Sequence, residues 1–350
     1  MKKEMGKDGF YFIAEIGVNH EGDLNKALIM VEQVAEAGAH AAKFQAYKAE
    51  KLVVASAKAY WDTEFEKETS QLALFKKYDS FGAKEYQKIQ EKCIDCGVDF
   101  LATPFDLEAV EMLDKLMNSF KIASADLTNN PLLKAVGKKE KHVILSCGAS
   151  SFDEIETALK ILQEAGAPSI DLLHCVLNYP CKVTNSHLSH ISNLKARFES
   201  DVVRVGYSDH IPSTEVGDDQ LIVALVLGCR VFERHFTYDT SLEGNDHYHA
   251  LDGQHMTNII KRMEQILPSI NGCVEEEVLH NQMDARKQAR RSLVLARSLK
   301  KGDTLKETDL ICKRPGTGIS PIAIESIIGR SLLVDLTDDT ILKYDYLSEE

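Results

Sequence analysis

Eight short apolar runs recur along the first two-thirds of the chain, and each closes on polar or charged side chains that packing alone would not select. They span residues 11–17, 40–45, 100–105, 120–126, 143–148, 170–175, 202–209 and 230–236. Between them, apolar residues recur at three- and four-residue steps. Leu28, Val31, Val34 and Ala35 share one face of a helix predicted over 24–38, with Gly38 as its C-terminal cap. A second predicted helix, 151–164, begins at a Ser150 or Ser151 cap and carries Ile155, Leu159 and Leu162 on one stripe. Eight strands separated by helices predict an α/β fold, the (β/α)8 TIM barrel, in which residues at the C-terminal strand ends carry the chemistry. Here those ends offer Glu15, Lys43 with Gln45, Thr103, Lys121 with Ser124, Ser146, His174, His210, and Glu233 with His235.

Two stretches depart from the rhythm. The long connection 46–81 holds the only tryptophan, Trp61; its length suggests a lid or rim over the barrel mouth, and a surface excursion is the other reading. The chain of 350 residues also exceeds the ~250 that one barrel needs. We therefore expect a barrel domain over 1–272, a linker over 273–289 and a small β-rich domain over 290–350, where short apolar alternations are broken by glycine and proline turns. Lys313-Arg314-Pro315-Gly316 sets two cations beside one of those turns.

Composition narrows the function. A formal charge of −13 disfavours nucleic-acid binding, so anionic substrates must be drawn by locally concentrated lysine and arginine. No apolar run approaches the ~18 residues of a membrane span, and none follows the polar start as a signal sequence would need. Eight scattered cysteines fit a reducing cytoplasm better than a disulfide framework, and Cys93 with Cys96 reads as helix packing.

At the strand ends the candidate chemistry is an anion plus a metal. Glu233 and His235 are two apart, so both point to the barrel interior, and His210 ends the neighbouring strand with Asp209 beside it. Two imidazoles at adjacent ends suit a divalent metal with open positions. His247 and His249, in the loop beyond, remain open as further ligands or substrate contacts. Lys43 and Lys121 also point inward, where an ammonium needs a partner: either substrate oxygens or Glu15. Thr103, Ser124, Ser146 and Ser208 add hydroxyl donors for phosphate in a chain with no glycine-rich P-loop.

Phe12-Ile-Ala-Glu15-Ile-Gly-Val-Asn-His20-Glu-Gly22, Ala42-Lys-Phe-Gln45, Ala102-Thr-Pro-Phe105, Phe120-Lys-Ile122, Leu173-His-Cys175, Tyr207-Ser-Asp-His210, Phe232-Glu-Arg-His-Phe-Thr237 and Lys313-Arg-Pro-Gly316 together resemble the sialic acid (nonulosonic acid) synthase family. The resemblance covers essentially the whole chain, the small C-terminal unit resembling the family's antifreeze-like SAF domain. It implies condensation of phosphoenolpyruvate with N-acetylmannosamine, an N-acetylated amino sugar, to a nine-carbon 3-deoxy keto acid and phosphate. It implies His210 and His235 as ligands of manganese or magnesium, and Lys43, Thr103, Lys121, Ser124, Ser146 and Ser208 around phosphoenolpyruvate. Glu15, Glu233 and Lys43 match catalytic positions; Gln45, Tyr179, Asp246 and Arg314 match sugar-side ones. Arg314 corresponds to the arginine that one subunit lends its partner, which implies a domain-swapped homodimer.

The chain departs from that pattern on the sugar side. Leu177 stands where some bacterial members place a substrate-binding asparagine, with Asn178 one step along, and the loop after the last strand carries histidines that better-known members lack. These differences point to a 2,4-diacetamido sugar leading to legionaminate, or another amino sugar, as the alternative. A 3-deoxy-octulosonate-type synthase, which needs a second phosphate site, and a non-catalytic carbohydrate-binding protein are further alternatives.

Overall fold

A computed structural model of the chain describes residues 9–61, 63–64, 66–244, 246–272 and 274–349. Expectations that touch the polar start, Asn245 and Cys273 lie outside these residues. The chain divides into two compact units, residues 1–270 and 271–350.

In the first unit, β1 (Tyr11–Gly17), β2 (Ala41–Ala46), β3 (Asp99–Pro104), β4 (Ser119–Ile122), β5 (His142–Ser146), β6 (Ile170–Cys175), β7 (Val203–Asp209) and β8 (Val231–His235) make one parallel sheet. Its ladder runs β3-β2-β1-β8-β7-β6-β5-β4, and the two end strands lie side by side, so the sheet is a nearly closed barrel. Parallel strands are buried on both faces, which is why their runs read as almost continuously apolar. Alternation still sorts them. Phe12, Ala42, Phe44, Phe120, Leu145, Leu172 and Phe232 face outward into the helices. Tyr11, Ile13, Ala41, Leu101, Ile144, Leu173 and Val231 fill the interior. Gly206 completes that plug: a Cβ there would meet Leu173 Cδ2 at 2.5 Å and Val231 O at 2.6 Å.

Two expectations change here. The fourth strand ends at Ile122, and Ser124–Asp126 form a 3₁₀ turn that brings Ser124 over the mouth. The helix Leu24–Glu36 buries Ala27, Met30, Val31 and Val34, a face rotated slightly from the predicted one, with Leu28 and Ala35 at its margin. The helix Phe152–Ala165 starts at Ser151, whose hydroxyl and Glu154 form a capping box, and buries Ile155, Leu159 and Leu162 as predicted.

The second unit carries two short helices, Glu275–His280 and Met283–Ala289, ahead of an antiparallel pair, β9 (Ser292–Leu295) and β10 (Leu310–Lys313). The rest of its sheet structure is single bridges, such as Leu332 to Leu347, because turns interrupt every run. Ten buried aliphatics, Leu293 and Leu342 among them, form its core. Pro315, without an N–H, ends β10, and Gly316 N–H donates to Lys287 O (2.8 Å). Arg314 is exposed. No helix among the described residues is long and apolar enough to cross a membrane.

Candidate active site

Apart from Tyr11, which is followed by Ile13, each plug residue has a polar one two positions further along its strand. Ile13 leads to Glu15, Ala41 to Lys43, Leu101 to Thr103, Ile144 to Ser146, Leu173 to Cys175, Gly206 to Ser208 and Val231 to Glu233. The period-2 pleat therefore stacks a polar ring directly on the apolar plug, at the C-terminal end of the barrel. Ladder register sets neighbours: Glu15 lies opposite Lys43 on β2 and His235 on β8, Gln45 opposite Thr103, and Ser208 opposite Glu233. At the end of β1 the register shifts between Glu15 and Gly17. Gly17 turns there with φ +57°, and a Cβ would press on Gln45 Nε2 (3.2 Å) and Glu15 Oε1 (3.3 Å).

The ring is a charge network. Buried Lys43 forms an ion pair with Glu15 and lies 3.5 Å from Glu233 Oε2; it also approaches Thr103 Oγ1 (3.4 Å). Gln45 Nε2 donates to Glu15 Oε1 (3.0 Å). Lys121 Nζ donates to Ser146 Oγ (2.8 Å) and Ile122 O (3.1 Å), with Glu233 Oε1 at 3.7 Å. Ser208 Oγ donates to Glu233 Oε1 (2.9 Å), and Gly148 N–H donates to Ser124 Oγ (2.9 Å). The two lysines differ. Burial opposes the charge of Lys43, but Glu15 and Glu233 outweigh it and hold its pKa above the usual lysine value. For Lys121 burial wins, and its pKa is lowered. Burial would raise Glu233, yet Lys121 and Lys43 pull it down to about 2.

Over this ring stand the histidines. The rings of His210 and His235 lie 5.2 Å apart, and Tyr179 packs on His210 at 4.2 Å. His210 Nδ1 is 2.8 Å from Val176 O; a carbonyl only accepts, so Nδ1 carries the hydrogen and Nε2 keeps a free lone pair. Burial holds this imidazole neutral, its pKa down at about 3. His235 Nδ1 meets Asp246 Oδ2 at 3.2 Å, so Asp246 sits against a histidine. His235, Asp246 and His249 bring one ligand atom each within 4.8 Å of one another, a group able to hold a metal ion.

A cavity of about 480 Å³ opens above the ring, within the range of small-molecule sites. Every barrel residue assigned from the sequence to catalysis, binding or metal lines it, whereas His247 and His249, left open there, do not; Arg314 belongs to the second unit. The connection 46–81 supplies much of the upper wall, with Tyr60, Trp61, Glu66, Phe75 and Tyr78, which supports its reading as a rim or lid. Leu177 also faces the cavity, whereas Asn178 is exposed. Two strand-end residues do not belong to the mouth. His174 points out of the barrel, stacks on Tyr207 and bonds through Nε2 to Ser186 O (2.8 Å). Asp209 turns outward to Arg234 (3.2 Å), one pleat away from Ser208. Sequence reasoning missed Cys175, Glu66 and Asp126 as cavity residues. Cys175 was accessible from strand parity; Glu66 and Asp126 depend on loop paths.

The lining carries five carboxylates, Glu15, Glu66, Asp126, Glu233 and Asp246, against two ammoniums, a formal charge of −3 with all ionised. Two residues beside the cavity carry buried atoms without hydrogen-bond partners: Glu233 Oε2 and both ring nitrogens of His249. Surplus negative charge, the neutral imidazole of His210 and the partnerless nitrogens of His249 fit a divalent cation.

Ammoniums, hydroxyls, carboxylates and imidazoles gathered at the C-terminal mouth of a barrel are the makings of an enzyme site. Residues 30–274 match the NeuB family, and residues 290–348 match the SAF domain. The chain is 35% identical to N,N'-diacetyllegionaminic acid synthase of Campylobacter jejuni, over 95% of this chain and 98% of the relative. It is 32% identical to the N,N'-diacetyllegionaminic acid synthase of Legionella pneumophila, over 96% and 94%. A crystal structure of N-acetylneuraminic acid (sialic acid) synthetase from Leptospira borgpetersenii, in complex with citrate, is similar at 33% identity and TM-score 0.68, covering 79% of this chain and 91% of that one. The chain belongs to the NeuB family and is an enzyme of the nonulosonic acid synthase class.

Proposed function

We propose that the enzyme condenses phosphoenolpyruvate with the open-chain aldehyde of an unphosphorylated N-acetylated amino sugar, releasing phosphate and a nine-carbon 3-deoxy keto acid. The observation that carries this reading is the polar ring on the barrel plug: two ammoniums and four hydroxyls, from Thr103, Ser124, Ser146 and Ser208, gathered beneath paired imidazoles. In this reading Lys121, Ser124, Ser146 and Ser208 hold the phosphate, and Lys43 with Thr103 holds the carboxylate. C3 of phosphoenolpyruvate forms the new bond to the aldehyde carbon, whose oxygen takes a proton. Water adds at C2 and gives up a proton, with Glu15 or Glu233 within the ring to accept it. The C2–O bond then breaks, phosphate leaves with that oxygen, and C2 becomes the ketone. A divalent ion, manganese or magnesium, held by His210 and His235 would polarise the aldehyde oxygen as a Lewis acid.

Gln45, Tyr179 and Asp246 face the sugar in this scheme, with Arg314 contributed by a second copy in a domain-swapped homodimer. An exposed arginine suits a mouth whose own charge is negative. With only Lys43 and Lys121 as ammoniums among the described lining residues, nothing supports a second phosphate site, which argues against sugar phosphates. Leu177 and the aromatic wall of Tyr60, Trp61 and Phe75 favour 2,4-diacetamido-2,4,6-trideoxymannose, which lacks hydroxyls that N-acetylmannosamine carries, and the names of two relatives agree. The free state of the seven described cysteines is consistent with work in the cytoplasm. Phosphate release from phosphoenolpyruvate, measured with each sugar and without sugar, tests the proposal. Release with the diacetamido sugar above both other reactions supports it; higher turnover with N-acetylmannosamine reassigns the sugar, and release with neither refutes the reaction.

A further inference from the structure

His249, packed against His235 behind the mouth, has no role in the scheme above. It lies in the turn His247–His249 after β8 and is fully buried, and neither ring nitrogen has a hydrogen-bond partner. Four other buried histidines each hydrogen-bond through one nitrogen, and His235 pairs with Asp246. His20 Nδ1 accepts from Gly22 N–H (3.1 Å), His174 bonds Ser186 O, His210 bonds Val176 O, and His247 Nδ1 meets Thr237 Oγ1 at 2.6 Å. A buried imidazole with two idle nitrogens calls for an unseen partner.

Its surroundings say which. The His249 ring is 4.7 Å from that of His235 and 6.3 Å from that of His210. Asp246 lies between two of them, Oδ2 at 3.2 Å from His235 Nδ1 and Oδ1 at 3.8 Å from His249 Nε2. The ligand atoms of His235, Asp246 and His249 span no more than 4.8 Å, close to twice a ~2.1 Å metal–ligand distance.

We propose that His249 is a further imidazole ligand of the divalent ion, so that the donor set is rich in nitrogen and selects a first-row transition ion, manganese or a later one such as Co²⁺, over Mg²⁺. This rests on the metal reading given under Proposed function. Imidazole suits the later transition ions, whereas Mg²⁺ prefers all-oxygen shells and keeps its water. A binding site made of oxygen ligands would have little use for a third buried imidazole.

The test uses the chelator-treated full-length protein, titrated with Co²⁺ and separately with Mg²⁺, following heat and the cobalt ligand-field absorption. His249→Phe keeps the volume, His249→Gln keeps a polar group, and His235→Phe is the control; thermal melts without metal check folding. Pulsed EPR of bound Cu²⁺ counts coordinated imidazoles, which a merely structural role would not change. Both His249 variants are expected to lose one imidazole, weaken Co²⁺ at least ~10-fold and change Mg²⁺ less than ~3-fold. An unchanged imidazole count and Co²⁺ affinity in the His249 variants, with His235→Phe impaired, overturns the ligand role alone. Absence of Co²⁺ binding to the unaltered protein, or no effect of His235→Phe, overturns the metal reading beneath it as well.

Discussion

Lys43 and Lys121 face the same cavity from β2 and β4, yet replacing each by methionine should have opposite consequences for the fold. Lys43 is fully committed: it pairs with Glu15, lies 3.5 Å from Glu233 and has a raised pKa, so the folded state favours its charge. Lys43→Met leaves Glu15 without its cation and Glu233 with a weaker set. Removing one partner from a buried pair costs about 3–5 kcal/mol. For a unit of this size that lowers the melting temperature by roughly 6–10 °C. Lys121 is held in the protein at a cost, since burial lowers its pKa, and Glu233 keeps Lys43 and the Ser208 hydroxyl without it. Lys121→Met should therefore melt within about 2 °C of the parent protein. Both variants should lose phosphoenolpyruvate turnover, because each removes a charge-assisted bond worth about 1.5–3 kcal/mol, or roughly 10- to 200-fold in kcat/KM. Calorimetric melts of the substrate-free proteins beside steady-state kinetics make the comparison. A Lys121→Met protein that melts lower than Lys43→Met, or keeps full kcat/KM, would refute the division of roles.

Three further outcomes follow from the same geometry. Because burial lowers the Lys121 pKa, its ammonium is lost at a lower pH than that of an exposed lysine; KM for phosphoenolpyruvate should rise on the alkaline side, and Lys121→Arg should flatten that rise because arginine stays charged. Leu177→Asn puts an amide into the apolar part of the cavity and should shift the kcat/KM ratio toward N-acetylmannosamine by roughly 10-fold, read in competition assays; an unchanged ratio would remove Leu177 from sugar selection. Gly17→Ala forces a side chain into a φ of +57° against Glu15 and Gln45, and should cut kcat more than it raises KM for phosphoenolpyruvate; parent-like kcat would mean that the Glu15–Gln45 bond does not position the reacting groups.

The barrel was legible because strand and helix periods are local properties of the chain. The polar ring was legible for the same reason: residues two apart on a strand share a face, so the sequence alone assigns Glu233 with His235 and Lys43 with Gln45 to the interior. His174 counts among the strand ends and Asp209 stands beside His210 without that rule, and their parity sends them outward to Ser186 and Arg234. His247 and His249 stay open in the sequence, and Asp246 is assigned by resemblance alone, because they lie in a turn, where no period fixes direction. Glu66 and Asp126 reach the cavity only through the paths of the 46–81 connection and the 3₁₀ turn after β4. The fourth strand was read too long, since Ser124 and Asp126 continue its polarity but not its backbone.

The most direct test of the proposed chemistry follows the bridging oxygen of phosphoenolpyruvate. With ¹⁸O between C2 and phosphorus, the diacetamido sugar and a divalent metal, the phosphate released should carry the label, in step with a nine-carbon keto acid detected by mass. Unlabelled phosphate, or labelled phosphate released equally without sugar, would contradict a condensation that breaks the C2–O bond at this site.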